Sequence, residues 1–237
     1  MKFLDRISIY YLVIFFLVSL LILGTFSFGL SAVLLQAIPP ILATTVTDSI
    51  LKYFKLKTLK FSLSALITGL IIGLTAQFGA SPWILALIGI AAILIKAFIR
   101  VDGRHIFNPA ASGLLMGILV FHSAPSWWVG GVSWWVFLVW IALMLYKMKR
   151  WAPIVGFLVP TLLFSGLSIL TSASLLFFLS VMLIEPKTSP FEVKNGLIYG
   201  LIVALGYMLF SQTSFDPLIT ALLLGNLGAR LLKKVIV

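Results

Sequence analysis

The residues able to do chemistry in this chain of 237 are few: six carboxylates, two histidines and no cysteine. Most of the interesting ones crowd into three stretches, RVDGRHIFNP (100–109), LIEPKTSP (183–190) and FDPLITALLLGNLGAR (215–230). In the first, Asp102, Arg104 and His105 stand just ahead of Asn108-Pro109. Asn is a good helix N-cap and Pro suits the first helical position, so the stretch reads as a capped helix start beside an Asp–Arg pair. The same geometry aims free N–H groups and a positive helix end at whatever lies beyond. Arg104 and His105 would then favour an anionic or electron-rich ligand, and His105 could exchange protons near neutral pH. Residue chemistry alone leaves cap and site both open.

Glu185 follows the apolar run LLFFLSVMLI and precedes Pro186-Lys187-Thr188-Ser189-Pro190. It fits a cation site, a proton relay or a surface pair with Lys187. Asp216-Pro217 looks like another helix start, with Asp216 as cap. Asn226 and Arg230 lie four residues apart, on one helix face, among Gly225 and Gly228 that suit close helix packing or a polar ligand contact. Ionisable groups within or beside a membrane span are costly and so suggest function. On that ground Asp102 and Glu185, together with the polar amide of Asn226 in its apolar run, are the candidates for an ion or proton pathway.

Other chemistry is excluded or poorly supported. The chain has no P-loop, no HExxH and no serine triad. Without cysteine it has no disulfide and no thiolate ligand of its own. His105 and His122 sit at opposite ends of one segment, and no metal-ligand cluster is visible.

The elements that must position these residues are membrane helices. The chain is 62% hydrophobic and only 10% charged, with solid apolar blocks rather than the alternation of a β-barrel. Ten segments are expected, at 8–27, 30–50, 60–79, 82–99, 108–122, 132–147, 152–169, 172–185, 195–211 and 216–232. Two of these, 108–122 and 172–185, are short enough to be half-helices or re-entrant. Pro39-Pro40, Pro160 and Pro217 should interrupt or start helices. Threading the chain back and forth from Lys2 and Arg6 puts all 17 basic residues on one face, which predicts cytoplasmic N- and C-termini in the cell membrane. The net charge of +11 is explained in that way rather than by nucleic acid. Lys52 to Lys60, Lys147 to Arg150 and Lys233-Lys234 read as solvated anchors, and Trp127, Trp128, Trp134 and Trp135 as an interfacial aromatic belt. A weak echo between residues 94–117 and 181–200 hints at duplication. One integral-membrane domain, 1–237, is expected, with possible halves 1–125 and 126–237.

At these residues a family resemblance enters. GRHIFNPAASG resembles the Gly-x-x-x-Phe-Asn-Pro-Ala signature of the D subunit of the Rnf electron-transport complex and of the B subunit of the sodium-translocating NADH:quinone reductase. SALITGLIIGL (64–74) before Pro82-Trp83, VMLIEPKTSP (181–190) and FDPLITALLLGNL (215–227) are similar to further stretches of that family, in the same order. The resemblance implies an all-α, urea-transporter-like duplicated bundle, and a membrane subunit of flavin-linked electron transport coupled to Na+ or H+ movement. It implies other membrane redox subunits as partners besides lipid; a homo-oligomer is compatible with it, and nucleic acid is not expected. Arg104, His105, Asn108, Pro109, Thr68 and Thr188 would be its flavin-binding residues. The family's Ser-Gly-Ala-Thr attachment motif is missing, because Ser112-Gly113 and Ser165-Gly166 are each followed by Leu. Any flavin, FMN or riboflavin, should therefore be non-covalent. A stand-alone channel or carrier for a small solute such as riboflavin is the alternative.

Overall fold

Long apolar runs broken by Gly, Pro, Ser and charged punctuation form ten α-helices among the described residues: α1 Ile9–Phe28, α2 Leu30–Leu56, α3 Leu63–Thr75, α4 Pro82–Phe98, α5 Pro109–Phe121, α6 Trp135–Met148, α7 Trp151–Ser165, α8 Ala173–Phe177, α9 Val193–Phe210 and α10 Pro217–Val235. A two-stranded hairpin, β1 Arg100–Val101 and β2 Arg104–His105, stands between α4 and α5. The structure, a computed structural model, describes residues 6–58, 60–131 and 134–235. Lys2 and the side chains of Lys233 and Lys234, counted above among the basic residues, lie outside that description.

Helices α1, α2 and α9 are each long and apolar enough to cross a membrane, and shorter apolar helices accompany them. Large side chains such as Phe15, Phe26 and Leu163 are more than two-thirds exposed, as lipid-facing positions are and soluble surfaces are not. This is an all-α polytopic membrane protein. The expected short segment 172–185 changes character midway: α8 ends at Phe177, and Phe178–Leu183 is a π-helix. Ser180, whose hydroxyl bonds back to the Leu176 and Phe177 carbonyls, sits within it. The prolines behave in two ways. Pro82, Pro109 and Pro217 begin helices, whereas Pro39-Pro40 and Pro160 lie inside α2 and α7. Around Pro39-Pro40 the Thr44 and Thr45 hydroxyls bond the Ile41 carbonyl, and Gly69 of α3 and Gly89 of α4 pack against the Pro40 carbonyl, so the turn is held in a close helix contact.

The chain divides into two compact units, Met1–Ala97 with Ser112–Val132, and Phe98–Ala111 with Ser133–Val237. In the first, α3 packs on α2 and α1. A Cβ added at Gly69 would run into the Pro40 carbonyl and Ile41 Cα, so the two backbones touch there. Trp128 is buried, with its ring against Phe28 and Phe78 and its indole N–H donated to the Gly73 carbonyl at 2.7 Å. It thus satisfies one of the free carbonyls in the last turn of α3. The belt reading survives for Trp134 and Trp135, which are exposed, and fails for buried Trp127 and Trp128, which are core. Buried Gln36 of α2 holds the α3–α4 loop through the Gln77 carbonyl at 3.0 Å and the Gly79 N–H at 3.1 Å.

In the second unit, α9 packs between α7 and α10. The α8–α9 loop is held from the start of α7 by Arg150, which donates to the Ser189 carbonyl at 2.9 Å, the Ser189 hydroxyl at 2.7 Å and the Pro190 carbonyl at 3.3 Å. Its guanidinium also lies 5.5 Å from the centre of the Phe191 ring. Burial pulls the Arg150 pKa below its ordinary value. Arg150 is therefore a clamp built into the fold, not a solvated anchor.

Two helix starts repeat one device. Phe107-Asn108-Pro109 opens α5 and Phe215-Asp216-Pro217 opens α10. The Asn108 side chain accepts the Ala111 N–H at 3.0 Å, and Asp216 accepts the Ile219 N–H at 2.9 Å. The likeness continues through Ser112/Thr220, Leu114/Leu222, Leu115/Leu223 and Gly117/Gly225. The local partner of 107–117 is therefore 215–225, rather than the 181–200 stretch of the sequence echo.

Candidate functional site

The hairpin sets the first side of the site. Asp102 and Gly103 both take positive φ, 51° and 74°, which is the two-residue turn that a Val-Asp-Gly-Arg sequence favours. Strand alternation then sends Arg104 outward and His105 inward, where it is 3% exposed. Asp102 remains exposed on the turn, and among the described residues it makes no ion pair; the expected Asp102–Arg104 pair is absent.

Glu185 supplies the second side, where the π-helix gives way to the Pro-flanked loop. Its Oε2 accepts the Asn108 amide N–H at 2.9 Å and the Thr188 hydroxyl at 3.1 Å. Its backbone carbonyl accepts the Ser189 hydroxyl at 2.8 Å and the Ser189 N–H at 3.0 Å. Among the described residues no ion pair joins it to Lys187, so the surface-pair reading fails. Its other oxygen, Oε1, faces His105 Nε2 at 3.7 Å. That is too far for a hydrogen bond, and Nε2 makes none among the described residues.

Asn226, fully buried in α10, closes the network. Its Oδ1 accepts the Asn108 backbone N–H at 2.8 Å, and its Nδ2 donates to the Tyr199 hydroxyl at 3.1 Å. Tyr199 donates in turn to the Leu183 carbonyl at 3.3 Å. Asn108 is thus used at three atoms, which is more than capping needs. One hydrogen-bonded line runs from α9 through α10 and the start of α5 to the Glu185 carboxylate. The Glu185 carboxylate is held by neutral donors, and Oε1 and the His105 Nε2 are the atoms of this network that make no hydrogen bond among the described residues.

Of the residues anticipated from sequence, the fold gathers His105, Asn108, Thr188, Glu185 and Asn226, with Pro109 as first residue of α5. Arg104 and Arg230 instead line an open cleft with Lys187, to which Thr188 and Ser189 of the Glu185 network also contribute. Thr68 belongs to the first unit, where its hydroxyl bonds the Ser64 carbonyl four residues back at 2.9 Å. Sequence reasoning missed Tyr199 and Arg150. Tyr199 could have been noticed as a hydroxyl within the apolar run GLIYGLIVALG, between Gly196 and Gly200. It also missed Asp48, buried in α2, whose Oδ2 lies 2.6 Å from Lys52 Nζ and whose Oδ1 lies 3.9 Å from Lys96 Nζ. The i, i+4 spacing of Asp48 and Lys52 was its signal.

Fold and site together define a polytopic helical membrane protein with a buried polar centre in one of its units. A family model matches residues 5–134, more than half of the chain, and the chain belongs to the NQR2, RnfD, RnfE family. No curated protein matches it.

Proposed function

We propose that the protein is an integral-membrane subunit of a flavin-linked electron-transport complex, coupled to Na+ or H+ translocation, with both termini on the cytoplasmic side. Membership of the NQR2, RnfD, RnfE family supports this reading. The single observation that carries it to residues is the pairing of buried His105 with half-buried Glu185, with Nε2 and Oε1 facing each other at 3.7 Å. Protonation of His105 would turn that approach into a charge-assisted contact, and its loss would free the carboxylate for a cation. Asn108, Thr188, Asn226 and Tyr199 hold the pair in register. Ion passage and electron transfer would meet here through the charge that a reduced flavin adds nearby. The partners are other membrane redox subunits.

The test is direct. Protein purified in mild detergent should show a flavin spectrum, with the chromophore released on denaturation, and His105→Ala should lower flavin content or flavin reduction. A colourless protein would overturn the redox reading. The absence of an Ala-Thr after either Ser-Gly favours the second reading, a carrier or channel for a small solute such as riboflavin. Solute flux into vesicles containing this chain alone would select it.

A further inference from the structure

A small open cleft in the second unit is lined by Arg104 from the hairpin, residues 187–190 of the α8–α9 loop, and Ala229 and Arg230 from α10. Three cations from three separate stretches converge there, and among the described residues none has a carboxylate within ion-pair distance. The nearby hydroxyls do not serve the cleft as donors, because Thr188 and Ser189 donate inward to Glu185. Arg230 spends one N–H on the Val101 carbonyl at 3.5 Å and keeps the rest of its guanidinium uncommitted. Gathering like charges costs energy unless an anion relieves it. Guanidinium forks and an ammonium are the donor set that suits a phosphate.

The stretches that supply the cleft also carry exposed apolar side chains: Leu227 and Leu231 near Arg230 in sequence on α10, and Phe191 after Pro190, all 43–71% exposed. A basic cleft on a unit with so much exposed apolar surface, in a membrane protein, matches an amphiphile better than a soluble ion. We propose that Arg104, Lys187 and Arg230 form a binding site for a phosphate group, carried by an anionic phospholipid of the leaflet that meets the basic face. The cleft shares Thr188 and Ser189 with the Glu185 network, but the three cations that carry this inference make no contact with Glu185 among the described residues.

The full-length protein in detergent would be titrated with phosphatidylglycerol, phosphatidylcholine and inorganic phosphate, with bound lipid counted by native mass spectrometry and stability followed by thermal melting. The expected result is selective retention of phosphatidylglycerol, weakened roughly 100-fold when Arg104→Gln, Lys187→Gln and Arg230→Gln are combined. A control that loses the same charge elsewhere, Lys55→Gln with Lys57→Gln and Lys60→Gln, should bind as wild type. Millimolar inorganic phosphate that raises the melting temperature and displaces the lipid would keep the phosphate site and assign it to a soluble source. Unchanged lipid binding in the cleft variant, or equal loss in the control, would overturn the site.

Discussion

Each unit draws a carboxylate in from solvent, Asp48 buried and Glu185 half-buried, and the two are treated in opposite ways. In the first, Asp48 lies between two lysines, Lys52 at 2.6 Å and Lys96 at 3.9 Å, and Lys96 also donates to the Ser64 hydroxyl at 3.0 Å. Both of its oxygens lie near a lysine, although Oδ2 makes no hydrogen bond among the described residues, so it reads as an ionic tie between helices. In the second, Glu185 is held by an amide, a hydroxyl and, at a distance, an imidazole. The lysine two residues on, Lys187, lines an open cleft instead. A carboxylate beside lysine ammonium groups reads as structure and one without a cation at hand as chemistry, and that difference favours the second unit as the place to look for function.

The largest expected effect asks whether both units depend equally on backbone contact. Gly200 of α9 lies against Pro153 and Phe157 backbone atoms of α7, much as Gly69 lies against Pro40 and Ile41. Neither neighbour is the yielding tip of a side chain. Gly200→Ala and Gly69→Ala should each cost at least the roughly 1–3 kcal/mol of an overpacked core. Melting in detergent should show both far below wild type. A Gly69→Ala protein that melts normally would show that the first unit tolerates helix separation.

Next comes the carboxylate pair itself. Asp48→Asn leaves two lysines short of a counter-charge and should cost about 1–3 kcal/mol, less than a fully buried pair because Lys52 is 34% exposed. Glu185→Gln keeps an oxygen for Asn108 and Thr188 and should stay within about 1 kcal/mol of wild type. In reconstituted vesicles with the redox partners the order should reverse: Glu185→Gln loses coupled ion movement and Asp48→Asn retains it. Equal loss in both would erase the distinction between the two sites.

A smaller effect separates the twin helix starts. Removing a cap costs about 0.5–2 kcal/mol, which is what Asp216→Ala should show by thermal melting. Asn108→Ala should exceed it, since Asn108 also donates to Glu185 at 2.9 Å. Equal losses would mean that Asn108 is only a cap.

Much of the fold was legible in sequence because apolar block length and Pro, Gly and Ser punctuation act locally. Segment ends fell within a few residues at α1, α4, α5 and α9. The misreadings came where tertiary contacts rule. Pro39-Pro40 stays inside a helix packed tightly by Gly69 and Gly89, and Trp128 is core because Gly24 makes room for its ring. Within the site, Asn108, Glu185, His105 and Asn226 were visible as polar residues at helix ends or in apolar runs. Which of them meet was not visible, since Asn108 and Asn226 are 118 residues apart and their bond uses the backbone of one and the side chain of the other. Tyr199 was hidden for the same reason, because a hydroxyl in a greasy helix gains meaning only from its partners.

The smallest effect concerns the carboxylate that sequence reasoning placed beside Glu185 in an ion pathway. Asp102 occupies a left-handed position, φ 51°, ahead of Gly103 at 74°, where Asp and Asn are both favoured. Asp102→Asn keeps the turn and removes the charge, so the melting temperature should hold within the roughly 0.5 kcal/mol of an ordinary surface change. If Asp102 serves the hairpin, ion movement is untouched and the hairpin still delivers His105 to Glu185. If coupled ion movement falls as far as in Glu185→Gln while stability holds, the pathway reaches the exposed turn, and the Glu185–His105 pair is one station on it rather than its centre.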